Sequence, residues 1–288
     1  MARDVYDALP AAREVIRAAD DILGYRLSTL MFEGPEEELT ETANAQPAIF
    51  TASVAMLRCA TLPQDVAFVA GHSVGEYSAL VAAGCLTFED GLRLVRERGR
   101  LMSEAGTDAP GGMLAVLGLE DGAIEEACAS VSPLTACAAN YNAPGQTIVS
   151  GEEAALEAVT AALKARGAKR VLRLNVSAAF HSPIMAAAAA KLDEAIERTP
   201  LAAPRWPVIG NVSAEPLHTE DDVRRELAAQ IAAPVRWEAS VRRMITGGAK
   251  RLIEIGPGRV LTGLAKRIEP SVEALHVSDL ESPRGVAV

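Results

Sequence analysis

Val66-Ala67-Phe68-Val69-Ala70-Gly71-His72-Ser73-Val74-Gly75-Glu76-Tyr77-Ser78-Ala79-Leu80-Val81-Ala82-Ala83 is the stretch that decides the fold class. Its first five residues are an apolar run of buried-strand length. Its last eight are helix-like and stop at Gly84. Between them stands Gly71-His72-Ser73-Val74-Gly75, a match to G-x-S-x-G. The bare pattern is common by chance, but a strand before it and a small-residue helix after it are not. In that setting the turn is a nucleophile elbow that projects the Ser73 hydroxyl over a sheet edge. The helix begins at the turn, so its free N–H groups face developing negative charge, and the Val74 N–H is the natural oxyanion donor. A serine in an ordinary strand-to-helix turn is the plain alternative. A phosphate cradle is weaker, since neither GxxxxGK[ST] nor a GxGxxG at this turn is present.

Outward from the elbow, the N-terminal side is helical, with Val5, Leu9, Ala12, Val15 and Ile16 on one face and a break at Phe32-Glu33-Gly34-Pro35. Residues 44–58 read as a buried helix. Thr87 and Asp90 form a capping box for a helix running to about Glu104. The middle of the chain changes character: strand 113–117, helix 121–129, strands 134–139 and 146–149 around the turn-rich 140–145, helix 152–164 and strand 170–174. That order is ferredoxin-like. The expected architecture is α/β: a hydrolase-like large domain (1–109 and 176–288) with a mostly parallel sheet, carrying a ferredoxin-like small domain (110–175) as an insert. Past the insert, helix 184–196, strand 207–210, helices 223–229 and 237–244, strand 252–255 and helix 261–268 follow, and the tail after Ser282 is expected to be loose.

A formal net charge of -10, with no segment interleaving basic charge and aromatics, disfavours broad nucleic-acid binding. Two local basic clusters remain, Arg166, Lys169 and Arg170, and Arg242, Arg243, Lys250 and Arg251. They are either ordinary solvated surface or a landing site for an acidic partner. No run reaches membrane-span length and no signal peptide is visible, so a cytoplasmic or other reducing compartment is expected. The four cysteines contain no CxxC pair and the four histidines no HExxH, which argues against a metal site.

A serine hydroxyl needs a base. His72 should diverge from Ser73 at the elbow, His218 sits in a polar turn and His276 lies near the tail. An isolated histidine is more often structural. Beside an elbow, however, His181 is the candidate base, because Phe180-His181-Ser182-Pro183 falls at the junction between the insert and the returning large domain. Arg98 is the other anomaly. On a helical wheel it lies between Leu94 and Met102, inside the apolar arc of Phe88, Leu92, Val95 and Met102. Such an arginine either forms an internal salt bridge or receives a substrate carboxylate as a bidentate pair.

Glu33-Gly34-Pro35, Gln46-Pro47-Ala48, Gly71-His72-Ser73-Val74-Gly75-Glu76-Tyr77, Arg98-Gly99, Tyr141-Asn142-Ala143-Pro144-Gly145-Gln146, Phe180-His181-Ser182 and Glu254-Ile255-Gly256-Pro257-Gly258 occur in one order over nearly the whole chain. In these stretches the chain resembles the malonyl-CoA:acyl carrier protein transacylase family, acyltransferases that supply extender units for fatty-acid synthesis. The resemblance implies a ping-pong transfer in which Ser73 is acylated by malonyl-CoA, His181 is its base, and the partner is an acidic acyl carrier protein. Arg98 would clamp the free malonyl carboxylate, with Gln46, Val74, Met102 and Phe180 in the substrate site. The family usually orients the histidine with a backbone carbonyl, expected here in the 246–249 loop, at Gly247. No metal or redox cofactor is implied, since CoA and phosphopantetheine thioesters are substrates. The family's opening strand and Gly-Gln-Gly loop, source of a second oxyanion N–H, have no counterpart in the sequence. An upstream start is the expected reason. A polyketide-pathway acyltransferase, a serine thioesterase and a non-catalytic interaction protein are the competing expectations.

Overall fold

Helical periodicity governs the first sixty residues of the computed structural model, which describes residues 1–176 and 178–279. Helices α1 (Arg3–Ala8), α2 (Pro10–Leu23), α3 (Leu27–Glu33) and α4 (Glu36–Thr40) lead into α5 (Thr42–Cys59). The tail after Ser282 lies outside the described residues. α5 is buried along most of its length, as the weak contrast in polarity between its faces predicts. Strand β1 (Val69–Ala70), the elbow and α6 (Gly75–Ala82) follow, then α7 (Phe88–Asp108). Thr87 caps α7 by accepting from the Asp90 N–H at 3.0 Å. These helices share one core with α10 (Ala186–Arg198), built around Phe50, Val54, Leu80, Leu92, Leu101 and Met102. Among the described residues, no helix is long and apolar enough to cross a membrane.

Between these parts lie β2 (Gly111–Leu117), α8 (Asp121–Ala129), β3 (Ala136–Ala143), β4 (Gln146–Glu152), α9 (Glu153–Ala165) and β5 (Arg170–Arg173). The four strands form an antiparallel sheet in the order β3-β4-β2-β5. With α8 and α9 they enclose a separate core of Leu114, Val116, Ile124, Leu156, Val159 and Leu163. β3 starts later than expected and runs on to Ala143. Register shifts at Ala138/Asn140 and Tyr141/Ala143 take up the turn-rich residues without ending the ladder.

The second half of the chain adds β6 (Val208–Ile209), β7 (Pro216–Leu217), α11 (Glu220–Gln230), α12 (Trp237–Thr246), β8 (Arg251–Ile255), α13 (Val260–Ile268) and β9 (Glu273–Val277). A single mostly parallel sheet is not what these strands form among the described residues. β1 pairs in parallel with β6 and β6 antiparallel with β7, while β8 and β9 make a separate parallel pair. The expected five-residue strand before the elbow shrinks to two because its partner is short. Pro207 has no N–H to extend the ladder, and the Gly210 N–H turns away to Glu215 O at 3.1 Å. β7 and β9 are additions to the strands expected from the sequence.

Candidate active site

Gly71 is obligatory at the elbow: a Cβ there would lie 2.0 Å from the Gly75 carbonyl oxygen. Ser73 then adopts φ +52°, the left-handed region that a non-glycine residue enters at a cost. Asn211, just past β6 and almost fully buried, holds it there. Its Oδ1 accepts from the Ser73 N–H and its Nδ2 donates to Gly71 O, both at 2.7 Å. Val74 follows in helical conformation as the N-cap of α6, and no described residue accepts from its N–H. His72 diverges from Ser73: its Nε2 meets Asn142 Oδ1 at 2.8 Å and its ring packs edge-on to Trp237.

His181 also has a left-handed backbone, φ +55°, and its N–H is anchored to Ile231 O at 3.0 Å. Its Nε2 lies 2.8 Å from Ser73 Oγ, and its Nδ1 faces Gln230 O at 2.9 Å. This corrects the expectation that Gly247 supplies the orienting carbonyl. Gly247 is the C-cap of α12, where an added Cβ would meet the Phe68 ring at 2.5 Å. Gln230 is the last residue of α11, and the final carbonyls of a helix have no intrahelical partner. One of them is therefore free for the imidazole, at the negative end of the helix dipole. Burial pulls the His181 pKa down to about 3, Arg98 adds to the fall, and the Gln230 carbonyl opposes it. The ring is thus neutral near neutrality and able to take a proton.

Arg98 is 1% exposed, between Leu94 and Met102 on α7 as the wheel requires. Its Nη2 donates to Ser73 Oγ at 3.0 Å, its Nη1 to Gln46 Oε1 at 2.5 Å, and its Nε and Nη2 to Gln230 Oε1 at 3.3 and 3.0 Å. The guanidinium lies 5.8 Å over the Tyr77 ring. Gln46 Nε2 in turn reaches Met102 Sδ at 3.3 Å. Phe180 is packed into the main core, its carbonyl fixed by Ser150 Oγ at 2.5 Å. Ser73, His181, Arg98, Gln46, Val74, Met102 and Phe180 therefore lie on two adjoining chains of contact, and Gly247 does not.

Three residues at this site have no counterpart in the sequence reading as site residues. Asn211 pins the elbow. Gln230 serves His181 through its backbone and Arg98 through its side chain. Glu76 is fully buried, accepting from Asn211 N at 3.0 Å and from Gln230 Nε2. Burial, and then the neighbouring Glu226, raise its pKa well above the ordinary carboxyl value. Among the described residues no cluster of His, Cys, Asp or Glu could hold a metal ion. Burial raises the pKa of all four thiols, which disfavours the reactive thiolate form.

The acyl transferase domain family matches residues 1–280. The malonyl CoA-acyl carrier protein transacylase of Bacillus subtilis is 42% identical over 287 residues, spanning 98% of this chain and 90% of that protein. An acyl carrier protein S-malonyltransferase from Vibrio cholerae superposes with a TM-score of 0.94 at 38% identity, over 100% of this chain and 95% of the other. A malonyl-transacylase solved in complex with a type II PKS acyl-carrier protein superposes with a TM-score of 0.95 at 40% identity, over 99% and 94%.

Proposed function

The chain belongs to the acyl transferase domain family, and we propose that it moves a malonyl group from malonyl-CoA to the phosphopantetheine thiol of acyl carrier protein through a malonyl ester of Ser73. The observation that carries this reading is one oxygen with two partners. Ser73 Oγ sits 2.8 Å from a neutral imidazole and 3.0 Å from a buried guanidinium. The first makes it a nucleophile. The second puts a cation where the free carboxylate of a malonyl ester would lie.

In the first half-reaction His181 Nε2 takes the Ser73 hydroxyl proton as Oγ attacks the thioester carbonyl. Charge on the tetrahedral oxygen is met by the Val74 N–H at the start of α6. The C–S bond breaks, and the CoA sulfur leaves with the proton from His181. In the second half the carrier thiol gives its proton to His181 and attacks the ester. The C–O bond breaks and Ser73 recovers the proton. No metal or redox group enters either half. The Gln230 carbonyl orients the imidazole and favours its transient positive charge.

We also infer that residues 1–109 and 176–288 belong to a hydrolase-like large domain, with 110–175 a ferredoxin-like insert. The β3-β4-β2-β5 order, the two crossing helices and the separate core support it.

Intact mass after incubation with malonyl-CoA tests the chemistry. The wild type should gain one malonyl group, lose it to added carrier protein, and gain nothing as Ser73→Ala. Release of free malonate at the same rate without carrier protein would make the chain a thioesterase instead.

A further inference from the structure

We propose that Glu76 is a positioning residue for the carboxylate clamp: acting through the Gln230 amide, it balances the charge of Arg98 at one remove and so leaves the guanidinium's outer N–H groups for the substrate. This rests on the malonyl-transfer reading above. A guanidinium as buried as Arg98 needs a counter-charge. Yet its direct partners are two amide oxygens, a hydroxyl and an aromatic ring, and no described carboxylate lies within ion-pair distance.

The hydrogen-bond pattern points to where the charge is. Gln230 Oε1 accepts two bonds from Arg98, which fixes the amide, because a flipped amide would aim its NH2 at the guanidinium. Gln230 Nε2 must then face the other way, where it donates to Ser73 O and to Glu76 Oε2. The second Glu76 oxygen accepts from Asn211 N. Each oxygen accepts an N–H, and these two bonds together with Arg98 favour the ionised carboxylate against the burial that raises its pKa. Glu226, across the same loop, is occupied by the backbone N–H groups of Val212 and Ser213.

An arginine that only needed neutralising would take a carboxylate directly, and that bidentate contact would fill its fork. With a neutral amide interposed, its outer contacts are a hydroxyl (Ser73) and an amide (Gln46), and one Nη1 proton is uncommitted. A substrate carboxylate displaces such partners, because charge-assisted bonds are roughly twice as strong as neutral ones.

The test compares wild type, Glu76→Gln and the exchange Glu76→Gln/Gln230→Glu in transfer from malonyl-CoA and from acetyl-CoA, which lacks the carboxylate. Glu76→Gln sets two NH2 groups face to face, and the Gln230 amide turns away from Arg98. Malonyl kcat/KM should fall by about 10–100-fold and acetyl kcat/KM by less than about 3-fold, the worth of charged hydrogen bonds lost on one substrate only. The exchange restores the match between positions 76 and 230 and the acceptor facing Arg98, and loses only the donor to Ser73 O, so the thermal midpoint should recover in part. It also places a carboxylate directly on the clamp, so malonyl transfer should stay low.

Equal loss on both substrates, no loss on either, or an exchange variant with the wild-type malonyl-to-acetyl ratio would overturn the proposal. So would an exchange variant less stable than Glu76→Gln, since the exchange regains the contact between positions 76 and 230 and the contact to Arg98. If Glu76→Gln alone fails to fold, the ratio in the exchange variant decides. A wild type that forms no malonyl adduct would break the underlying reading instead, and is seen before any variant is made.

Discussion

Ser73 and His181 are held by their backbones: both are left-handed, and both anchor their N–H groups, to Asn211 Oδ1 and to Ile231 O. Arg98 sits in the middle of a regular helix and is held by side chains alone, those of Gln46, Ser73 and Gln230. The two regions meet at one oxygen atom but are built for different tasks. The dyad must hold the same geometry through two half-reactions, so strain and main-chain anchors suit it. The clamp must exchange partners when substrate arrives, so neutral side-chain contacts suit it. Damage to the dyad's supports should therefore cost stability and turnover together. Damage to the clamp should cost selectivity and leave the fold intact.

The largest effect follows from cutting the dyad's anchor. Asn211→Ala orphans the Ser73 N–H and the Gly71 carbonyl at once. With about 1–3 kcal/mol for each unsatisfied buried group, the variant should lose about 2–6 kcal/mol of stability. Its kcat should fall with both malonyl and acetyl donors, because the left-handed serine loses its support. Chemical denaturation and transfer kinetics read the two effects. A stable variant with normal kcat would show that the elbow glycines hold Ser73 unaided.

Arg98→Lys should break the clamp and spare the fold's hydrogen-bonded core. Lysine keeps the charge but lacks the planar fork. Malonyl kcat/KM should drop on the order of 10²-fold, the equivalent of roughly 2–3 kcal/mol for a lost bidentate contact. Acetyl transfer should change far less. Equal losses on both substrates would mean that Arg98 serves Ser73 rather than the carboxylate.

Much of this division was legible in the sequence because its signals are local. The elbow needs only a strand, five residues and a helix, and Arg98 betrays itself against Leu94 and Met102 on one helix face. The orienting carbonyl was misplaced at Gly247 because it depends on which helix end reaches His181 in three dimensions. The nearest sequence signal is Gln230 closing an apolar-patterned helix just before Ala232-Ala233-Pro234. Asn211 leaves no such trace, since an asparagine after a strand reads as a turn residue. The sheet was overestimated for a related reason. Apolar runs such as 66–70 report burial, while ladder length is set by partners such as Pro207-Val208-Ile209.

Burial of the dyad has a consequence in pH. The His181 pKa is about 3 when folded, against an ordinary value near 6.5. Below pH 6.5 the unfolded chain takes up a proton that the folded one refuses, so stability falls as pH falls through that window. His181→Gln removes the effect. Relative to that variant, the wild type should lose about 2 kcal/mol between pH 6.5 and pH 5, at 1.36 kcal/mol per unit. Urea unfolding of both proteins at pH 7.5 and pH 5 measures it. Parallel pH profiles would mean that water reaches the imidazole.

The smallest effect concerns the surface, where the contrast between committed and exchangeable charges recurs. Arg242, Arg243 and Arg251 are paired with Glu238, Glu215 and Glu273, each at 2.8 Å. Arg166, Lys169 and Arg170 have no described carboxylate within ion-pair distance and are exposed. An acidic carrier protein is steered by charge that is not already neutralised. Lys169→Glu/Arg170→Glu should therefore raise KM for carrier protein a few-fold at low salt, with the difference vanishing as salt shortens the screening length to about 3 Å near 1 M. The rate of Ser73 acylation by malonyl-CoA should not move. Arg243→Glu/Arg251→Glu should shift the carrier KM less, because these arginines are already neutralised by Glu215 and Glu273 and the carrier is steered by the uncommitted cluster instead. A larger shift from this second pair of changes would place the carrier on the other face of the protein, with the Glu215 and Glu273 pairs opening to receive it.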